Sequence, residues 1–385
     1  MQKHLRILIV IRIIIMSTKE KKKLKEGITT GTCAAAAAAA AVEAFFGKVL
    51  PNITVNLPDD SGIISVDIHS TKPVHASRKI KTATATVVKD AGDDPDITNG
   101  ALISARVSIA ENDITQVTIK GGAGVGRVTR AGLPVSIGES AINPVPRIMI
   151  EQEVKKRLPK GKKFLVDVVI SVKDGEKLAQ KTLNPRLGII GGISILGTHG
   201  IVKPFSAKSY QETIDICLRS AQTDDQKTCV LSTGRRSERL AQAYYPDLDE
   251  KCFVQMADFF SHALKTANDL GFSHIVLAGF FGKLCKWAMN MKYTHARSGQ
   301  TDFGFLSMLA SEIGLSDTFC RFVKEANNAR HIFESGHPDV PIFIDTIGQR
   351  ALINAEKIVK DKARVTLCLW DFNEKFYQEW ETADS

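Results

Sequence analysis

Residues 29–47, TTGTCAAAAAAAAVEAFFG, decide the architecture of the N-terminal half of the chain. A threonine before an alanine run is typical of a helix N-cap, and alanine has the highest helix propensity of all residues. The pattern therefore predicts a helix over residues 33–46, which Gly47 ends. Because alanine on every face lets other elements approach closely, this helix is expected to lie buried in the first domain.

Short runs rich in valine, isoleucine and threonine follow this helix and are separated by turn residues, which is typical of strands. A helical stretch at 143–157 interrupts them. The predicted strands lie at 53–57, 63–68, 81–89, 101–110, 115–119 and 164–172. The sequence therefore predicts an α+β first domain with a mixed sheet and few helices, over residues 24–205.

The sequence pattern changes near Ser209, where predicted helices begin to alternate with short apolar strands. Such alternation indicates a parallel sheet with crossover helices. The predicted helices lie at 209–220, 236–243 and 259–271, and the predicted strands at 228–231, 252–255, 274–278 and 365–370. The fold class expected for the chain is α/β, with a Rossmann-like second domain at 206–372 and a polar tail at 373–385.

The first 23 residues are expected to be an unstructured or artefactual extension. Residues 5–15 are apolar, but they are too few to span a bilayer core of roughly 30 Å as a helix. No small-residue cleavage site follows them, so a signal peptide is not indicated either. We prefer Met16 as the true start of the protein, and an interfacial membrane anchor is the alternative.

Size and composition narrow the class of protein. A chain of 385 residues exceeds the usual size of one hydrophobic core, so two domains are expected. The net charge is +9, but lysines at 19–25 supply much of it, which argues against a nucleic-acid groove and leaves an excess that suits an anionic small molecule. Seven scattered cysteines without a C-x-x-C pair indicate free thiols in a reducing cytoplasm.

A glycine-rich run, GGAGVGRVTR at 121–130, follows a predicted strand. It does not open a helix, so it is not a dinucleotide-binding fingerprint. Bare glycine backbone can still approach a ligand closely and offer amide donors. Gly122, Gly124 and Gly126 are therefore candidates for cofactor contacts, and Arg127 and Arg130 for substrate contacts. A bulged hairpin with two surface arginines is the structural alternative.

An acidic loop, DAGDDPD at 90–96, places four carboxylates around a turn. Such a loop suits recognition of ribose hydroxyls, a metal site or a general base. The spacing lacks the calcium-loop pattern, and a solvent-exposed acidic loop is the structural alternative. The candidates are Asp90, Asp93 and Asp94.

Four further segments combine turn residues with basic side chains. Two Asn-Pro pairs lie near arginines, and proline would hold their polar neighbours rigidly. Two glycine loops follow strands of the second domain, at the strand ends where open α/β sheets bind ligands. The candidates are Asn143, Arg147, Asn184 and Arg186 near the prolines, and Thr233, Gly234, Arg235, Arg236, Gly282 and Lys283 in the later loops.

Two single residues complete the candidates. His295 follows the second glycine loop and is the candidate catalytic residue, although a lone histidine is often structural. Cys33 lies at a predicted helix N-terminus, which would stabilise a thiolate. A buried, inert cysteine is the alternative that we favour.

In this order the motifs resemble the CbiD family of cobalamin biosynthesis, the cobalt-precorrin-5B C1-methyltransferases. The resemblance runs from about Gly27 to the end of the predicted second domain. It is carried by GITTGTCAA at 27–35, KDAGDDPD at 89–96, the run at 121–130, AINPVPR at 141–147, NPRLG at 184–188, TGRRSE at 233–238 and the loop after Ala278. The chain departs from the expected pattern at Ala123 and Asn99, where glutamate or histidine is expected, and this weakens a side-chain role there.

The resemblance implies transfer of a methyl group from S-adenosylmethionine to ring carbon C1 of cobalt-precorrin-5B, with cobalt present only as part of the substrate and no metal site of the protein's own. It implies a corrinoid substrate as the partner, no nucleic acid and no membrane, and it leaves a homo-oligomer open. A nucleotide-dependent enzyme that uses only the second domain is the alternative function.

The resemblance also assigns roles to the candidates. The methyl donor would be bound by Thr30, Gly31 and Thr32 together with the acidic and glycine loops. The ring carries acetate and propionate arms, which the arginines and Lys283 would hold as carboxylate clamps. His295 would polarise a group or transfer a proton.

Overall fold

The computed structural model describes residues 24–77, 80–223, 226–294, 299–360 and 362–382. The chain forms two compact units: unit 1 takes residues up to 127 with 140–184 and 190–205, and unit 2 takes 128–139, 185–189 and the residues from 206 onward. The segments 128–139 and 185–189, which fall inside the predicted first domain, thus belong to unit 2. The predicted extension at 1–23 lies outside the described residues.

Unit 1 is built from short strands and three helices. Its strands are β1 Gly27–Ile28, β2 Asn52–Asn56, β3 Ile63–Asp67, β4 Ser70–Ser77, β5 Ile80–Val88, β6 Leu102–Asn112, β7 Gln116–Gly121, β8 Gly124–Val125, β9 Arg127–Val128, β10 Lys163–Val172, β11 Ile189–Ile190, β12 Gly192–Ile193 and β13 Ile201–Val202, where β9 and β11 run across the boundaries with unit 2. Its helices are α1 Thr30–Phe45, α2 Pro144–Lys155 and α3 Gly175–Ala179, and a 3-10 turn lies at Pro58–Asp60.

The main sheet of unit 1 is mixed, as predicted. Its strands lie in the order β4, β5, β6, β10, β7. The pairs from β4 to β10 are antiparallel, whereas β10 and β7 are parallel. Strand β4 was missed in the sequence, because its polar residues Ser70, Thr71 and Lys72 lack the apolar alternation that predicts a strand.

Helix α1 is the centre of the core of unit 1. It packs against α2, β5 and β6, and its residues from Cys33 to Val42 are at most 3% exposed. The facing strands contribute Ala83, Ala85 and Ala105 to the same core, so small side chains on both elements allow a close approach. The predicted burial is confirmed. The helix begins three residues earlier than predicted, because the Thr29 hydroxyl accepts a hydrogen bond from the Thr32 amide as the N-cap.

Unit 2 alternates strands and helices. Its strands are β14 Thr228–Ser232, β15 Phe253–Gln255, β16 His274–Phe280, β17 Arg364–Trp370 and β18 Phe376–Glu381. Its helices are α4 Ala207–Gln222, α5 Arg235–Tyr244, α6 Phe260–Asp269, α7 Phe281–Ala288, α8 Phe303–Glu312, α9 Asp317–Lys324, α10 Ala329–Phe333 and α11 Val340–Val359, with a 3-10 turn at Glu250–Cys252. None of the helices in the described ranges combines the length and the apolar character needed to cross a membrane.

The sheet of unit 2 has the order β15, β14, β16, β17, β18. The first four strands are parallel, as the alternation predicted, and β18 runs antiparallel to β17. The α/β class is confirmed, while the finer Rossmann-like assignment stays a prediction. The strand order reverses between β14 and β16, since the chain leaves β14 on one side for β15 and returns past it to β16.

The prediction of a polar tail at 373–385 is wrong for Phe376–Glu381, which form the edge strand β18. The cause is Trp380, which is 7% exposed and donates its indole N–H to the Asp345 carboxylate at 2.8 Å. It packs on Gly348, where a Cβ would lie 2.1 Å from the indole ring. One buried aromatic side chain thus anchors a strand whose other residues are mostly polar or partly exposed.

Candidate functional site

A cavity of about 180 Å³ in unit 1 collects residues from three of the predicted motifs. We call it the Lys89 cavity. It is lined by Thr29, Thr30, Lys89, Asp96, Thr98, Thr182, Asn184, Ile193, Ser194, Leu196 and Val202. Its wall combines hydroxyl, amide and apolar groups with one ammonium and one carboxylate, the mixture expected of a small-molecule site.

An ion pair between Lys89 and Asp96 supplies both charges of this cavity. Lys89 is 2% exposed and its ammonium donates to the Asp96 carboxylate at 2.7 Å. Burial favours protonation of Asp96, but the Lys89 charge and hydrogen bonds from Lys89 and Thr98 outweigh it and hold the pKa of this carboxyl below its ordinary value. Asp96 is therefore ionised at neutral pH, and the pair is a true ion pair.

The ammonium of Lys89 retains hydrogen-bonding capacity. A lysine has three N–H donors, and within the described part of the chain Asp96 is the one acceptor that Lys89 Nζ reaches. Asp96, by contrast, accepts from Lys89 and from both the amide and the hydroxyl of Thr98, at 2.6–2.7 Å. The ammonium of Lys89 is thus the charged group of the cavity that has unused donors.

Thr30 and Asn184, predicted from separate motifs, meet in this cavity. The Thr30 hydroxyl accepts from the Leu196 amide at 2.8 Å and lies 3.1 Å from the Leu196 carbonyl oxygen. The Asn184 amide donates to the Gly192 carbonyl at 3.0 Å and accepts from the Ser194 hydroxyl at 3.3 Å. These bonds fix the threonine and Asn-Pro motifs against the segment 192–196.

Gly31 and Thr32, predicted for the donor, have contacts within unit 1. A Cβ on Gly31 would lie 2.7 Å from a side-chain carbon of Pro146, so only glycine lets α1 pass this close to α2. The Thr32 hydroxyl donates to the Gly200 carbonyl at 2.7 Å. Neither residue lines the Lys89 cavity, and their contacts with the methyl donor stay a prediction.

The three predicted carboxylates of the acidic loop bind the protein's own chain. Asp90 pairs with Lys25 at 2.5 Å, Asp93 accepts from the Lys25 amide at 2.7 Å, and Asp94 accepts from the Phe205 amide at 3.0 Å. They hold the segments that flank β1 and β13. The donor contacts expected of this loop stay a prediction, and the carboxylate of the loop that lines the Lys89 cavity is Asp96.

A second cavity of about 320 Å³ lies on the other side of the same backbone. Val88 and Asp90 line it, whereas Lys89 lines the smaller one. Consecutive residues of extended chain point to opposite faces, so one loop serves two separate spaces. The acidic loop therefore does not form the single site that its composition suggested.

The glycine run at 121–126 packs closely against its own chain. The Gly122 amide donates to the Ile170 carbonyl at 2.7 Å and the Gly126 amide to the Ile193 carbonyl at 2.9 Å. A Cβ on Gly124 would lie 2.0 Å from the Val172 carbonyl oxygen. The cofactor contacts of Gly122, Gly124 and Gly126 stay a prediction, and none of the three lines the Lys89 cavity. The absence of a helix here agrees with the prediction.

Arg147 is also corrected from a substrate clamp to a structural residue. Its guanidinium donates to the carbonyl oxygens of Ile142, Ile119 and Ser140 at 2.9–3.3 Å. Asn143 is the N-cap residue of α2 by backbone conformation, without a side-chain cap bond. Arg127 is exposed, and its role as a substrate contact stays a prediction.

In unit 2 the carboxyl ends of β14 and β16 adjoin at the reversal of strand order, where open α/β sheets form a ligand crevice. Thr233 and Gly234 follow β14, and the space beside Gly234 is open, because a Cβ there would meet no atom within 4 Å. Arg235 begins α5 and is exposed. No ion pair or hydrogen bond joins the Arg235 side chain to another residue that the structure describes.

Arg236 and Lys283, from the same two loops, have partners. Arg236 pairs with Glu374 at 2.8 Å and donates to the Phe372 carbonyl at 2.6 Å. Lys283 forms an ion pair with Asp258, a residue after β15 that the sequence did not single out. A Cβ on Gly282, in the first turn of α7, would lie 3.8 Å from the Ala329 Cβ, an ordinary contact distance. Arg235 is thus the guanidinium with the fewest internal contacts at this crevice.

Arg186 makes several contacts within unit 2, and its role as a substrate clamp stays a prediction. It pairs with Glu238 at 3.0 Å and donates to the carbonyl oxygens of Glu250 and Phe253. A Cβ on Gly188 would lie 2.6 Å from a side-chain carbon of Arg130, so Arg130 packs over the NPRLG segment. The substrate role of Arg130 stays a prediction.

Two other single-residue predictions have clear outcomes. Cys33 is fully buried, and burial raises the pKa of its thiol to about 12, so the inert alternative is confirmed. His295, the candidate catalytic residue, lies outside the described residues. All seven cysteines are free thiols.

Sequence reasoning missed Lys89, Asp96 and Ser194 as wall residues. The sequence offered one signal, the position of Lys89 between an apolar strand and the acidic loop. A lysine there can be buried with the strand and still reach a carboxylate of the loop. Ser194 carried no signal, because only the fold brings the segment 192–196 against α1.

Comparisons with known proteins agree over most of the chain. Residues 17–204 match the family model described as CbiD, and residues 293–381 match the one described as CbiD, C-terminal domain. A protein of Geobacillus thermodenitrificans named cobalt-precorrin-5B C(1)-methyltransferase is 49% identical over 253 residues, 66% of this chain and 68% of its own length. A protein of the same name from Geobacillus kaustophilus is 47% identical over 287 residues, 74% of this chain and 75% of its own.

Among solved structures, a crystal structure of cobalamin biosynthesis protein (cbiD) from Archaeoglobus fulgidus is 29% identical. The match covers 69% of this chain and 80% of that one, with a TM-score of 0.37.

Proposed function

The chain belongs to the CbiD family, and we infer from this membership that it is a cobalt-precorrin-5B C1-methyltransferase of cobalamin biosynthesis. The observation that carries this function is the identity of 47% with a relative of that name over three quarters of both chains. The convergence of Thr30, Lys89, Asp96 and Asn184 on one cavity supports it, because motifs far apart in sequence then serve one site.

We propose S-adenosylmethionine as the methyl donor. Methyl transfer from a sulfonium is an in-line displacement, so aligning the ring carbon with the donor methyl can supply much of the rate enhancement. No covalent intermediate with the protein is needed. This agrees with the hydrogen-bonding and charged groups of the Lys89 cavity. It also agrees with Cys33, a potential nucleophile, which is fully buried and does not line that cavity.

The function is tested by incubating the purified protein anaerobically with S-adenosylmethionine and cobalt-precorrin-5B. The tetrapyrrole is expected to gain one methyl group, with formation of an equal amount of S-adenosylhomocysteine, both measured by mass spectrometry. An unchanged tetrapyrrole mass with folded protein would refute the function. Binding of ATP to the crevice of unit 2 without binding of S-adenosylhomocysteine would favour the nucleotide-dependent alternative.

We propose that Arg235 holds a carboxylate arm of the ring at the crevice of unit 2. The Arg235→Ala variant is expected to raise the KM for cobalt-precorrin-5B roughly tenfold, because one charge-assisted hydrogen bond is lost, and to change kcat little. Steady-state kinetics measures both constants. Arg239→Ala is the matched control, since Arg239 lies one turn along α5 and pairs with Glu374 at 2.6 Å. Equal effects of the two variants would contradict a specific contact.

A further inference from the structure

We propose that the Lys89 cavity is a carboxylate-binding site in which the Lys89 ammonium holds the ligand. The inference rests on the proposed function, since both substrates of that reaction carry carboxylates: the ring has acetate and propionate arms, and the methyl donor has an amino-acid end. The shared chemistry is one carboxylate on a short aliphatic arm.

The burial of Lys89 indicates a ligand. An ammonium that is 2% exposed has lost its water, and a buried ion pair alone is a weak source of stability. One of its three N–H donors reaches Asp96, and the described residues offer the other two no acceptor. Unused donors of a buried cation are costly, and an anion in the adjoining cavity would satisfy them.

The charge distribution selects an anion over a cation. Lys89 and Asp96 are the only charged side chains among the residues that line the cavity. The two carboxylate oxygens of Asp96 already accept three hydrogen bonds, from Lys89 and Thr98. Two donors of the ammonium thus remain unused against about one acceptor position of Asp96. The larger spare capacity belongs to the ammonium, and a second cation would compete with Lys89 for Asp96.

The size and wall of the cavity select a short arm. A volume of about 180 Å³ is below the range of roughly 300–1,000 Å³ that encloses a drug-sized ligand, so neither the ring nor an adenosine fits as a whole. A carboxylate with a few methylene groups does fit. Ile193, Leu196 and Val202 would pack on the methylenes while the ammonium meets the carboxylate.

The test is the Lys89→Met variant, which keeps an unbranched side chain as far as the ε position and removes the ammonium. We would measure kcat and KM for both substrates, and the Kd values for S-adenosylhomocysteine and for methylthioadenosine, which lacks the amino-acid end, by calorimetry. A ring arm in the cavity predicts a rise of roughly tenfold or more in the KM for cobalt-precorrin-5B, with both Kd values unchanged. A donor carboxylate predicts the same rise in the Kd for S-adenosylhomocysteine alone.

Two further variants keep the test decisive. Lys25→Met removes the exposed lysine that pairs with Asp90 in the same loop and is expected to leave all constants unchanged. If Lys89→Met does not fold, Lys89→Met/Asp96→Asn removes both charges and leaves no buried charge unpaired. Unchanged constants in a folded Lys89 variant overturn the proposal, as does equal weakening of both adenosine ligands. Failure of the wild-type protein to methylate would refute the proposed function instead.

Discussion

Replacing Gly124 with alanine is expected to destabilise unit 1 by more than about 3 kcal/mol. Gly124 has a φ of +74°, which strains any other residue, and a Cβ would lie 2.0 Å from the Val172 carbonyl oxygen. A Cβ on Gly175 or on Gly192 would lie 2.1 or 2.2 Å from the Gly124 carbonyl oxygen, so these two glycines also pack closely on the Gly124 backbone. The three segments around Gly124 could make room for a Cβ only by separating, and this would break the pairing of β8 with β12.

The matched control is Gly100→Ala. Gly100 has nearly the same φ, +77°, but a Cβ there would meet no atom within 4 Å, so this variant isolates the backbone strain of about 1 kcal/mol. All three tryptophans and all five tyrosines lie in unit 2, so intrinsic fluorescence does not report on unit 1. Hydrogen exchange of peptides from β10 and β12 does. Equal losses in the two variants would show that the clash is relieved.

The buried alanine helix was predictable from the sequence because local and tertiary preferences agree there. Alanine favours a helix, and its small side chain also suits a helix that small residues of β5 and β6 cover. Most of the longer strands of both units follow from apolar patterns for the same reason, whereas the polar strand β4 does not. Strand β18 was not predictable, because its position depends on the distant partners Asp345 and Gly348 of one tryptophan.

The candidate site was predictable by motif but not by residue. Ligand sites often use glycines, aspartates and arginines. The same residues also allow tight backbone packing and form hydrogen bonds with buried backbone groups. The sequence alone does not distinguish the first demand, ligand binding, from the second, internal packing. The glycine run, Arg147 and the aspartates that hold Lys25 satisfy the second demand. Lys89 was not predicted as a site residue, because the burial that distinguishes it from a surface lysine depends on the fold.

Arg186 offers the clearest test of whether an arginine of these motifs binds a ligand or stabilises the fold. The Arg186→Met variant is expected to lose about 3–5 kcal/mol of stability in unit 2, because breaking a buried pair leaves an uncompensated charge. Glu238, whose side chain is 10% exposed, would keep only the hydrogen bond from Gln255 at 2.6 Å, and the Glu250 and Phe253 carbonyls would lose their donor. Urea unfolding followed by tryptophan fluorescence measures this loss, since all tryptophans lie in unit 2.

Arg239→Met is the control for this loss. Arg239 forms an ion pair of similar length with Glu374, but its side chain is 63% exposed, so water and salt screen the pair and its removal is expected to cost less than about 1 kcal/mol. A substrate clamp at position 186 would give the opposite pattern: a raised KM for cobalt-precorrin-5B with stability unchanged. The guanidinium of Arg186 already binds Glu238 and two backbone carbonyls, so the main effect of the Arg186→Met variant should be a loss of stability. Any rise in KM should then increase in step with the fraction of protein that is unfolded.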